Sequence, residues 1–214
     1  MNLLRPIFCC GSKRAMLVAA ILLVGQTAMQ ADILSNNLSS PTADTEVLSG
    51  STWIAGGFRT DASSYQLSSA TLLISNSIPG VATLDVYSGI AQPSSFVGVL
   101  DSPSNYSSSL AETTFAGSVT LASNSTYWLV LKAASGQFEW GWTEDSIGSG
   151  MGFTHTWGVS DDAGSSWFLT DIEPMQFSVT ASPSAAVPEP APVGLLVMGV
   201  SLLWWHASRK FAAR

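Results

Sequence analysis

The chain has 214 residues, with eight Lys and Arg against fifteen Asp and Glu and a formal net charge of −7. Between its two terminal apolar segments only Arg59 and Lys132 are cationic, so two positive charges face fourteen carboxylates and this body carries −12. So few cations have nothing with which to displace counterions from phosphate, which excludes nucleic acid and anionic lipid as partners of the body.

The N-terminus begins with a positive stretch, Arg5, Lys13 and Arg14, followed by an apolar run from Ala15 to Val24 that is short for a bilayer span. Small residues follow, and cleavage after Ala28 or Ala31 is expected. Residues 1–31 thus read as a secretory signal peptide with a helical core, the alternative being an uncleaved anchor. Cys9 and Cys10 are the only cysteines and precede the apolar run, whereas a lipoprotein cysteine would follow it. The mature body then has no disulfide, no thiolate metal site and no cysteine nucleophile. The body, residues 32–181, is long enough for one core-bearing domain.

Within the body, Ile33 and Leu34 suggest a short first strand, and the polar residues from Ser35 to Asp44 read as loop. Short runs rich in β-branched and aromatic residues then recur, each bounded by Gly, Pro, Ser, Asn or Asp. They fall at 52–59, 65–74, 82–87, 96–100, 113–121, 126–132, 137–143, 154–159, 167–170 and 175–180. The 126–132 run is the most strand-like, and its apolar content suggests a central strand buried on both faces. No window of the body sustains a helical period beyond two turns, and no repeat of solenoid or propeller length is present. The expected fold class is all-β, an antiparallel β-sandwich of jelly-roll kind. Residues 182–192 are proline-rich and read as an extended linker.

Four motifs of the body, Trp53-Ile-Ala-Gly-Gly-Phe58, Leu84-Asp-Val-Tyr-Ser-Gly89, Val97-Gly-Val-Leu100 and Thr126-Tyr-Trp-Leu-Val-Leu131, are similar to those of bacterial choice-of-anchor domains, most like the R type. That resemblance implies an exported β-rich domain joined to an interchangeable C-terminal anchor, and no known chemistry.

The tail supplies such an anchor. Val187, Pro188, Glu189 and Pro190 form an extended spacer, residues 193–207 are apolar, and Arg209 and Lys210 make a cationic stop. This order resembles the PEP-CTERM sorting signal of Gram-negative bacteria. The resemblance implies export to the cell surface, an exosortase and the secretion machinery as partners, and at least transient residence in the inner membrane through a C-terminal hydrophobic helix. The apolar stretch of about fifteen residues is short of the roughly twenty usual for a span, which suits a signal awaiting processing.

Ser160, Asp162, Gly164 and Trp167 fit the Ser-x-Asp-x-Gly-x-x-Trp spacing of an Asp-box, a hairpin in which Asp caps backbone N–H groups, Gly takes a left-handed conformation and Trp packs beneath. The box recurs in sialidases, which also need several arginines to hold a carboxylate, and this body has only Arg59. Glu139, Glu144, Asp145, Asp161, Asp162, Asp171 and Glu173 crowd the second half, where a glycoside hydrolase would need two carboxyls converging across a cleft. The loops at 143–150 and Asp161 offer oxygens to at most a single calcium ion, without an EF-hand or nonapeptide pattern. No other cofactor is expected. His155, the sole body histidine, excludes a multi-histidine zinc site, and no Gly-x-Ser-x-Gly elbow accompanies it.

Trp140 and Trp142 share one strand face with Phe138, which leaves two readings, a sugar-stacking platform or a filled core. The leading expectation is a non-enzymatic surface or matrix-associated protein, linked to extracellular polysaccharide or biofilm. A carbohydrate-binding module using Trp140 or Trp142 comes second, and a hydrolase third.

Overall fold

A computed structural model describes residues 31–184, in which every regular element is a β-strand. The expected signal helix, the hydrophobic helix at 193–207, and the sorting residues Val187, Pro188, Glu189, Pro190, Arg209 and Lys210 lie outside the described residues. The strands are β1 (Asp32–Asn36), β2 (Asp44–Leu48), β3 (Trp53–Arg59), β4 (Tyr65–Ser88), β5 (Ser95–Leu100), β6 (Ala111–Leu121), β7 (Thr126–Trp142), β8 (Phe153–Ser160), β9 (Phe168–Thr170) and β10 (Phe177–Pro183). All pair antiparallel in one ten-stranded network of order β1-β10-β4-β7-β3-β8-β9, with β2 added to β7 and both β5 and β6 added to β4.

Two strands are far longer than any strand run expected in the body. β4 has 24 residues and β7 has 17. Each joins two of the expected strands through a bend rather than a loop. Their register is continuous from Ala82 opposite Ala133 to Ser88 opposite Tyr127, then shifts repeatedly until Ile74 meets Trp140. Glycine sits on both sides of that irregular stretch. A Cβ on Gly80 would lie 2.0 Å from the Ser135 carbonyl oxygen, and Gly136 adopts φ +76. Asn76 fastens the bend, donating to the carbonyls of Ile78 (2.7 Å) and Gln137 (3.1 Å) and accepting from the Gly80 N–H (3.2 Å).

Because both long strands bend together, the sheet closes over one core. Leu67, Leu72, Phe115 and Phe177 from one limb meet Leu84, Val86, Leu129 and Leu131 from the other. The Phe177 ring on β10 fills the space above Gly56 on β3, where an added Cβ would lie 2.8 Å from it and 3.4 Å from the Trp140 ring. The first half of β7, between β4 and β3, is buried on both faces. Leu129 and Leu131 belong to the main core, while Trp128 and Val130 form a second cluster with Ala55 on the outer face. Trp53, Tyr87, Trp167 and Leu169 cover this second cluster.

Beside shifts of one or two residues at several strand ends, three differences from the sequence reading matter. Residues Ser35 and Asn36, read as loop, complete β1. β2 was not expected. Its Asp-Thr-Glu-Val-Leu sequence is polar, and its stability comes from the β7 ladder and from Leu48, which is fully buried. β10 reaches Pro183, opposite Tyr65, so the first residues assigned to the linker belong to the sheet. Proline is tolerated there because the β1 ladder stops at Asp32 opposite Ala181 and asks no N–H of residue 183, while the Ser184 N–H makes the closing bond to the Ser64 carbonyl (2.7 Å).

Substituting Gly56→Ala should force the Phe177 ring out of its place and destabilise the fold by about 1–3 kcal/mol. Chemical denaturation checks this, and an unchanged midpoint would contradict the tight facing of β3 and β10.

Candidate functional site

A concave surface lies where the end of β3 meets the start of β8 and two turns. Two adjoining cavities of about 680 and 530 Å³ share Arg59, Ile90 and Thr126. None of the residues lining either cavity is Asp or Glu, although the body carries fourteen such side chains.

Each wall is fixed by backbone and hydroxyl bonds. The Arg59 N–H donates to the Gly152 carbonyl at 2.9 Å, and the Gly152 N–H donates to that of Leu34 at 2.7 Å. A Cβ on Gly152 would lie 2.0 Å from the Arg59 carbonyl oxygen, so only glycine allows the β8 lead-in to cross here. Thr60 clamps the turn before β7, donating through Oγ1 to the Ala122 carbonyl (2.7 Å) and accepting from the Ser125 N–H (3.0 Å). On the opposite side the Trp128 indole N–H donates to the Gly89 carbonyl (2.8 Å) and holds the turn that presents Ile90. Ile90 is 95% exposed at the groove mouth. Thr154 bonds the Gly57 carbonyl (2.6 Å), and His155 donates through Nε2 to that of Ser146 (2.6 Å) with its ring edge-on to Phe153.

Arg59 is exposed and takes part in no ion pair among the described residues, where the one salt bridge joins Lys132 to Asp85. Asp61, the acid nearest in sequence, is occupied elsewhere. It accepts from the Ser63 N–H (2.8 Å) and the Tyr65 hydroxyl (3.0 Å). The Ser63 backbone bond foremost, with the Tyr65 bond, lowers its pKa against the opposing effect of desolvation. The groove therefore offers an uncommitted guanidinium, threonine hydroxyls and an aliphatic rim. It carries no carboxylate pair for glycoside hydrolysis and no carboxylate ligand for calcium.

The second body cation has a different task. Lys132 projects over the outer cluster, with Nζ 4.0 Å from the centre of the Trp53 ring, and bonds Asp85 and the Tyr87 hydroxyl. Burial works against its charge, yet the Asp85 and Tyr87 bonds prevail and its pKa is raised.

The residues singled out in the sequence are distributed unequally. Trp140 is 0% exposed, with its indole N–H donating to the Gln176 carbonyl at 2.9 Å, so it cannot stack on a sugar. Trp142 is half-buried and packs against the same core. Of the two readings for this face, Trp140 follows the filled core together with Phe138, while Trp142 keeps part of its surface exposed.

Ser160, Asp162, Gly164 and Trp167 do come together in the turn between β8 and β9. Asp162 Oδ1 accepts from the Ser160 hydroxyl and the Ser166 N–H, both at 2.8 Å, and Oδ2 accepts from the Ser166 hydroxyl at 2.6 Å. Gly164 has φ +84, and a Cβ there would strike the Trp53 ring at 2.6 Å. Trp167 covers the outer cluster. The site holds a hairpin and presents no cleft.

Glu144 and Asp145 are exposed beside a separate shallow cavity of about 380 Å³ near Pro41. Among the described residues no three His, Asp or Glu side chains converge as a metal-ligand set. Sequence reasoning passed over the Arg59 groove. The available signal was scarcity, since one of only two body cations ends the Trp53–Phe58 motif. No protein-family model matches the chain, and no curated protein matches it.

The Asp162 bonds have a pH signature. Hydrogen bonds from Ser166, then from Ser160, hold its pKa down to about 2, against about 4 in an unfolded chain. Its stabilisation is therefore complete above about pH 4 and is lost as pH falls towards about 2. The melting-temperature advantage of the wild type over Asp162→Asn should shrink across that window, and a constant gap would show that the carboxylate does not hold the hairpin.

Proposed function

We propose that the chain is an exported, non-enzymatic surface or matrix-associated protein, delivered by its C-terminal sorting signal and serving an extracellular polysaccharide envelope or biofilm. The observation that carries this reading is the order of the tail: the Val187-Pro-Glu-Pro190 spacer, the uncharged run from residue 193, and the basic end at Arg209 and Lys210. The N-terminal signal pattern supports export from the other end of the chain. We read the curled sheet as a jelly-roll-like β-sandwich of the choice-of-anchor kind, supported by the facing of Phe177 on Gly56 and by the shared core of the two limbs. A body that needs no disulfide to close its core suits a role as a carried module. The inward Trp140 removes support from a platform built on that residue, and the acid-free groove gives none to a hydrolase.

Processing is open to direct measurement. Intact mass of the surface-released protein should show loss of residues 1 to about 31 and a C-terminus near the Pro-Glu-Pro spacer. Replacing Pro188, Glu189 and Pro190 by Ala should leave the tail uncut and reduce surface delivery. A released protein that keeps Arg214, or a triple variant delivered as well as the wild type, would overturn the sorting assignment.

A further inference from the structure

We propose that the Arg59 groove binds a singly charged uronic-acid unit of an extracellular polysaccharide, its carboxylate on the Arg59 guanidinium and its ring against Ile90. This gives a ligand to the polysaccharide-associated reading, and it depends on the body alone and not on export.

The first argument is electrostatic. In a body of −12, an exposed arginine beside a carboxylate would be expected to pair with it. Arg59 has no such partner, and the acids are kept out of its groove. A planar guanidinium with its donors free matches a carboxylate in bidentate geometry. The same body charge selects against dense polyanions. Each further negative charge on the ligand is repelled by the surrounding carboxylates, which favours an isolated carboxylate over a phosphate dianion or a polysulfate.

The second argument is the mixture of surfaces. Sugars present hydroxyls at their edges and C–H groups on their faces. Thr126 and Thr156 line the groove, and their hydroxyls make no hydrogen bond among the described residues, so they are free to meet ring hydroxyls. Ile90 stands almost fully exposed on a turn that is itself pinned by Trp128, a rigid presentation of an aliphatic surface to the groove. Desolvating that side chain against a pyranose face gives it a role that burial in the fold does not.

The test compares matched probes on the purified full chain. Cellobiouronic acid carries the carboxylate, cellobiose lacks it, and sodium acetate supplies a carboxylate without a sugar. Calorimetry or NMR titration should show cellobiouronic acid bound at least about tenfold more tightly than either of the others, an advantage that weakens as salt rises. Arg59→Gln should cost about tenfold in cellobiouronic acid affinity and leave cellobiose unchanged. Ile90→Ser, at a position exposed enough to spare the fold, should weaken cellobiouronic acid several-fold while leaving acetate unchanged. Circular dichroism establishes that both variants are folded. Equal binding of cellobiose would remove the role of Arg59, and equal binding of acetate would reduce the groove to an anion site. No binding of cellobiouronic acid up to about 10 mM, where even weak sugar contacts register, would overturn the proposal outright. None of these outcomes bears on tail processing, so the two readings stand or fall separately.

Discussion

The pairing of β4 with β7 is the constraint on which the rest of the structure depends. Each strand serves different neighbours on the two sides of its bend. β4 takes β10 and β6 along its first half and β5 along its second, while β7 takes β3 and then β2. Had either strand stayed straight, the two limbs would lie in one plane and each would expose an apolar face. The bend requires backbones to approach closely, and Gly80 and Gly136 permit it on opposite strands. Asn76 then satisfies the groups that the broken ladder would leave without partners.

Cation scarcity organises the outer surface as strongly as apolar burial organises the interior. Lys132 is half-buried among Trp53, Tyr87 and Asp85, and its charge sits over the Trp53 ring, which with Tyr87 covers Trp128 and Val130. Its engagement there leaves Arg59 as the cation free of any carboxylate among the described residues. Trp128 links the two environments. Its ring lies in the outer cluster that Lys132 caps, and its N–H fixes the turn bearing Ile90 at the groove.

The sequence made the strand-rich class legible because its apolar runs are short, rich in β-branched residues and punctuated by turn formers. It also marked 126–132 as central, since a strand covered on both faces needs no polar side. The bends were not legible. Ser77, Pro79 and Gly80, and likewise Ser135 and Gly136, are the residues a loop would use, and local composition does not reveal that the ladder resumes beyond them. β2 escaped for the opposite reason, as its ordering comes from a partner distant in sequence. At the candidate site, the Asp162 turn was readable because its bonds join residues within a few positions. The groove was not, because it gathers side chains from four separate segments, and the face on which Trp140 would land depended on how the sheet curls.

The closing of the sheet also sets how the body bears load. β1 and β10 are antiparallel neighbours, with Asp32 opposite Ala181, so the chain enters and leaves at one rim. Tension drawn along β10 from its C-terminal end is resisted by ladders to β1 on one side and β4 on the other. Those hydrogen bonds run across the strand and are strained together in shear. The same force applied between the two chain ends would instead open the β1–β10 ladder pair by pair, starting at Asp32. A tether through the C-terminus alone is therefore the mechanically stronger way to hold this domain against flow.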